Sequence, residues 1–155
     1  MTAAVLDASA LLALILGEPG GDKVQSVLTD CAMTAVNLGE VVGHFAHIGS
    51  PETDIRLMLD PLPFVRIALD EELAFIAGLM LPVIRRAGLS FGDRACLAPA
   101  NKLSVRAITA NRAWPRIGSA VGVEIELVRE YPHGEYRLSS AFHLALTLGV
   151  RSRAT

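Results

Sequence analysis

The sequence predicts a single α/β domain: a mostly parallel sheet with helices packed on both of its faces. Short β-type runs alternate with helical ones from residue 3 to residue 128. Strands separated by helices pair in parallel, through right-handed crossovers. A chain of 155 residues is long enough to bury one substantial core. Hydrophobic residues make up 52% and mean hydropathy is +0.43, values that exclude a disordered chain.

Element by element, AAVLD (3–7) reads as a short buried strand and ASALLALILG (8–17) as a helix stopped by Gly17. Residues 20–30 fit a second helix. CAMTAV (31–36) is strand-like, and NLGEVVGHFAHIG (37–49) is a helix closed by Gly49 and Pro51. A helix over 52–60 stops at DPLP, and FVRIAL (64–69) is a strand. Residues 70–88 form a long helical stretch that Pro82 kinks or breaks. LSFGDRACLAPANKL (89–103) is another helix, with a further kink expected at Pro99. VRAITA (105–110) is strand-like, and VGVEIELV (121–128) closes the ordered pattern. No repeat, low-complexity tract or linker precedes residue 131. This sets a domain over 1–130 and a C-terminal extension over 131–155, in which LSSAFHLALTLGV is either a docked apolar helix or part of a flexible tail.

The longest apolar runs, 8–17 and 75–84, are too short to span a bilayer. Met1-Thr2 offers no basic segment of a secretory signal, so a cytoplasmic protein without membrane association is expected. Cys31 and Cys96 lack metal-ligand spacing and read as buried thiols. The net charge of −2 argues against nucleic-acid binding by bulk electrostatics. Its distribution points the other way. Residues 85–116 hold seven bases against one acid, Asp93, and twelve of the fourteen basic residues are Arg, the side chain that forks onto phosphate oxygens.

Four polar residues sit at strand ends or helix starts. Asp7 follows the first strand, Glu40 falls in the first helical turn after AMTAV, Asp93 opens the helix at LSFGD, and Asn111 follows RAITA. In an open parallel sheet, ligands bind outside the carboxyl ends of the strands. Helix capping explains each residue singly: Asp7 and Asn111 are favoured cap types, and Asn37-x-x-Glu40 and Ser90-x-x-Asp93 resemble capping boxes. Capping does not explain the set. Carboxylates brought together repel one another unless a cation neutralises them, and a hard ion such as Mg²⁺ or Mn²⁺ suits an all-oxygen set. His44 and His47, three apart on one helix, lack the further ligands that zinc needs.

VLDASALLALILGEPG, NLGEVV, LSFGDRACLAPA and ITANRAW, in that order, resemble the motif set of the PIN-domain family, and more narrowly the VapC ribonuclease toxins of VapBC toxin–antitoxin pairs. The resemblance spans residues 3–128. It implies a PIN-like three-layer sandwich and a ribonuclease whose carboxylates hold Mg²⁺ or Mn²⁺. It also implies an RNA substrate, a VapB-like antitoxin that blocks the cleft, and a homodimer. Asp7, Glu40 and Asp93 fall on the family's acidic positions, and Ser9 falls where the family has a hydroxyl beside the first aspartate. At the fourth corner the family usually has Asp, and this chain has Asn111. An amide can ligate a cation but brings no charge, so weaker binding of a second ion and reduced activity are expected. Arg94 and Arg112, each following a corner, are candidate phosphate contacts. Trp114 is either a base-stacking surface or, more in keeping with a lone Trp beside Pro115, a core lid. Two other functions stay open: a catalytically impaired PIN domain that mainly binds RNA or antitoxin, and a phosphotransfer domain. The second would need another acid near Asp7, where DAS supplies a serine.

Overall fold

The computed structural model describes residues 1–129; the extension over 131–155 lies outside the described residues. Five strands form one sheet in the order β3-β2-β1-β4-β5: β1 (Ala4–Leu6), β2 (Cys31–Thr34), β3 (Val65–Ile67), β4 (Arg106–Thr109) and β5 (Ile125–Leu127). Every pairing is parallel, with Ala4 opposite both Cys31 and Arg106, and Thr109 opposite Leu127. The chain builds outward from β1 to β3 and then returns to the other side of β1 for β4. The strand order therefore reverses between β1 and β4, where a parallel sheet opens a crevice at its carboxyl edge.

Helices cover both faces, as the alternation of elements predicts. Ala4 and Leu6 of β1, with Cys31 and Met33 of β2, face a core built by α1 (Ala8–Ile15), α2 (Gly21–Val27), α3 (Ala35–His47) and α4 (Glu52–Leu59). Val5 and Ala107 face the opposite core. There they meet Cys96, Leu97 and Ala100 of α7 (Phe91–Leu103) and the fully buried Trp114. Since β1 is buried on both sides, it reads as a continuous apolar run. Burial also accounts for the thiols: Cys31 and Cys96 are free and fully enclosed.

Several boundaries differ from the sequence expectation. The 70–88 stretch divides into α5 (Glu71–Leu79) and α6 (Leu81–Ile84), followed by a 3-10 turn over Arg85–Ala87. The break falls at Met80, which leaves Pro82 in the first turn of α6, where its missing N–H is not needed. Helix α7 runs through Pro99. After β4 a 3-10 turn (Trp114–Arg116) leads into the short α8 (Gly118–Val121), so β5 starts later than residue 121. In the acidic start of α5, Asp70 caps the helix by accepting from Leu73 N at 2.9 Å, and Glu72 pairs with Lys102 of α7 at 2.5 Å. At Gly20 φ is +90°, and an added Cβ would stand 1.9 Å from the Val128 carbonyl oxygen. This turn ties the start of α2 to the end of the sheet. Among the described residues no helix is long and apolar enough to cross a membrane.

Candidate carboxylate site

The crevice between β1 and β4 is where the chain's polar corners meet. Asp7 ends β1, and its backbone N–H is bound by the Ile108 carbonyl of β4 at 2.9 Å. It stands at the N-cap of α1, but its side chain makes no capping bond. The carboxylate is engaged across the crevice instead. Oδ2 accepts from Ser9 Oγ at 2.5 Å and from Thr109 Oγ1 at 2.9 Å. Ser9 Oγ in turn accepts from the Ala110 amide at 3.0 Å, so one hydroxyl joins the first turn of α1 to the end of β4.

Glu40 reaches the same place from α3. The cap of that helix is Thr34, whose Oγ1 accepts from the Asn37 amide. The helix therefore begins at Ala35, two residues earlier than expected, and Glu40 lies in its second turn. Asn37-x-x-Glu40 is not a capping box. Asn37 is fully buried one turn before Glu40, and its Nδ2 lies 3.1 Å from Glu40 Oε2, 3.1 Å from the Gly92 carbonyl oxygen and 3.4 Å from Asp7 Oδ1. The Glu40 carboxylate rests on Gly92, where an added Cβ would stand 2.0 Å from Oε1. Asp93 is the next residue. It closes the predicted capping box with Ser90, Oδ2 accepting from Ser90 N at 2.5 Å, while Oδ1 accepts from the Trp114 indole N–H at 3.2 Å. A fully buried Trp114 cannot stack on a base; it forms part of the core and orients Asp93.

The structure thus gathers Asp7, Ser9, Glu40 and Asp93. Asn111 joins through its backbone, with its N–H donated to Thr109 Oγ1 at 3.0 Å, while its Oδ1 accepts from Ala113 N at 3.0 Å. Its side-chain oxygen caps the following turn. Arg112 is exposed beside it. Arg94 is turned toward α5, with Nη1 donating to the Ala77 carbonyl at 3.2 Å and the guanidinium over the Phe91 ring.

Burial is the main force on Asp7 and pushes its carboxyl above the ordinary value of 3.8; the Ser9 and Thr109 hydrogen bonds oppose that rise, and the charge of Asp93 adds to it. Partial loss of solvent likewise raises Glu40 above 4.5, against the lowering Asn37 hydrogen bond and together with the charges of Asp7 and Asp93. These carboxylates feel one another. Among the described residues no three Asp, Glu, His or Cys side chains form a closed metal-binding group; the oxygens are directed at protein donors. The donor chemistry still suits a hard divalent cation. Two carboxyls have their ionisation opposed by burial and by neighbouring charge, and the bare backbone at Gly92 provides the space that Glu40 occupies. His44 and His47 are exposed and belong to no such group.

Sequence reasoning missed Asn37, Thr34 and Thr109 as parts of the site. All three are fully buried polar side chains. The available signal was the i, i+3 spacing of Asn37 and Glu40, which brings both residues onto one helix face.

The PIN domain family model matches residues 4–120. No curated protein sequence matches the chain. Among solved structures it is similar to the DNA-bound VapBC of Salmonella typhimurium, with 16% identity, a TM-score of 0.66, and coverage of 83% of this chain and 100% of that one. It is also similar to a toxin–antitoxin complex from Klebsiella pneumoniae, with 18% identity, a TM-score of 0.63 and coverage of 83% and 99%. A third, the VapBC2 of Rickettsia felis bound to a promoter DNA fragment, has 14% identity, a TM-score of 0.61 and coverage of 80% and 97%. At these identities the structures speak for the fold, and they agree on it with the sheet order and the helical layers. With the family model spanning four of the five strands and all four motif corners, the chain belongs to the PIN-domain family.

Proposed function

We propose that this chain is a divalent-metal-dependent ribonuclease, the VapC-type toxin of a toxin–antitoxin pair. The observation that carries the reading is the meeting of Asp7 and Glu40 on one buried amide at the β1/β4 crevice, with the Gly92 carbonyl on the same amide and the charge of the next residue, Asp93, acting on both acids. PIN-domain nucleases generally use a divalent metal, and Asp7, Glu40 and Asp93 are the residues that would hold Mg²⁺ or Mn²⁺ here. When bound, the ion would supply an acidified water and draw charge from the scissile phosphate. The chain's own part is positional. Ser9 and Thr109 fix the inner oxygen of Asp7, and Ser90 and Trp114 fix the two oxygens of Asp93. Arg112, exposed beside the crevice, meets a flanking phosphate; for Arg94 that role falls to the guanidinium hydrogens that Ala77 leaves unused. Asn111 adds an amide where a fourth carboxylate would add charge, and its oxygen is committed to Ala113 N, so activity is modest. A VapB-like antitoxin and a homodimer in the cytoplasm belong to the same reading.

RNA cleavage by the purified chain tests it, with Mn²⁺ against EDTA and with Asn111→Asp alongside. The parent should cut slowly with Mn²⁺ and not with EDTA, and Asn111→Asp should cut faster. Cleavage that survives EDTA would overturn the metal requirement. If Asn111→Asp cuts no RNA, the nuclease reading fails and the Asn111 amide favours a domain that binds RNA or antitoxin without cutting.

A further inference from the structure

We infer that Asn37 is a positioning residue: its buried side-chain amide holds Glu40 and Asp7 in register with the start of α7. The inference rests on the nuclease reading and assigns a role to a residue outside the four acidic motif corners. Asn37 is fully buried, and every partner its side chain finds is polar. Thr34 Oγ1 donates to Oδ1 at 2.7 Å. On the other side Nδ2 faces three acceptors: Glu40 Oε2, the Gly92 carbonyl and Asp7 Oδ1.

Chemistry fixes this orientation. A flipped amide would aim its oxygen at two carboxylates and a carbonyl, and its NH₂ at the Thr34 hydroxyl. With the oxygen on Thr34, both N–H bonds point into the site. Two hydrogens serve three acceptors, and the longest contact, 3.4 Å to Asp7, is the one most readily given up. Glu40 and Gly92 are thereby tied to each other through one group. That tie matters because Glu40 is the most solvent-facing of the three acids and approaches from a different helix. Asn37 Nδ2 gives this long exposed side chain a hydrogen-bond donor beside Gly92 that holds it there.

The test compares the parent with Asn37→Ala and with Asn37→Leu, which fills a similar volume but donates nothing. Mn²⁺ alone is titrated into each purified chain by calorimetry, and the melting temperature is read with and without Mn²⁺. The steady-state kcat and KM for RNA are measured in parallel. Both variants should lose about ten-fold or more in Mn²⁺ affinity and in kcat, with KM for RNA little changed. Should the alanine variant not fold, leucine carries the same comparison. A leucine variant that regains the parent's Mn²⁺ response shows that the position only fills space and overturns the inference. Equal Mn²⁺ responses in parent and variants, including none in any of them, overturn it as well. A failed nuclease reading shows separately: the parent then cuts no RNA, whatever the Mn²⁺ comparison gives.

Discussion

Gly92→Ala separates the carboxylate site from the fold more cleanly than removal of an acid does. The new Cβ would stand 2.0 Å from Glu40 Oε1, 2.6 Å from its Cδ and 2.8 Å from Oε2. Ordinary contact begins near 3.4 Å, so the Glu40 carboxylate has to withdraw by about 1.4 Å. The three atoms nearest that Cβ all belong to the end of the Glu40 side chain, which is exposed and can yield at small cost. Gly92 lies in the first turn of α7, where alanine gains up to about 1 kcal/mol through helix propensity and a less flexible unfolded chain. Misplacing a reacting group by about 1 Å costs roughly a hundred-fold in rate. Gly92→Ala should therefore melt at or slightly above the parent temperature and cleave RNA about a hundred-fold more slowly with Mn²⁺. Adding Glu40→Ala to it should cost little more, because both changes remove the same group from the same place. A Gly92→Ala chain that is folded and fully active would refute the placement of Glu40 at this site.

Asp7→Asn removes a carboxylate whose ionisation burial opposes. A group with a raised folded pKa holds more protons in the native state than in the unfolded one above the ordinary value of 3.8, so its penalty grows as pH rises through that window and stays in full above it. At neutral pH without metal Asp7→Asn should melt above the parent, and the gap should close as pH falls toward 3.8; a gap that stays constant in a melting series argues against burial as the cause. The new amide nitrogen can take the Oδ1 side, at the cost of the 3.4 Å contact from Asn37. Trp114→Ala should destabilise by about 3–5 kcal/mol in denaturant titration through loss of a fully buried indole. Trp114→Phe should keep much of that stability but lower the cleavage rate, since Asp93 Oδ1 loses its 3.2 Å donor. Burial pushes the Cys31 thiol up to about 11 and raises the fully enclosed Cys96 well above its usual range, so iodoacetamide at pH 8 should label neither until the chain is unfolded; mass spectrometry of the native chain reads this directly.

The elements that sequence read correctly are those whose cause is local. The alternation of apolar strands with helices led to the parallel sheet, and Ser90-x-x-Asp93 marked the start of α7 because a capping box involves only four consecutive residues. The misreadings came where two local signals competed. Asn37 resembled a cap, but Thr34 already supplied the hydroxyl, and β2 ended early to let it do so. Pro82 marked a break correctly but not its position, because proline fits the first turn of a helix as readily as it ends one. The acids themselves were visible as residue types at strand ends, which the geometry of parallel sheets makes a place for ligands.

Sequence by itself determined the class of the fold and its family, and named the three acids as candidates, because periodicity and motif order are written along the chain. Tertiary structure decided how those acids are used. Asp7 could equally have capped α1, and only the approach of β4 brings Thr109 to its oxygen. Asn37 became the centre of the site only when packing of α3 against α7 placed Gly92, and the fold placed Asp7, beside its buried amide. Hydrogen bonds of short reach between residues 30 to 102 positions apart depend on how the layers stack, and no local pattern encodes that stacking.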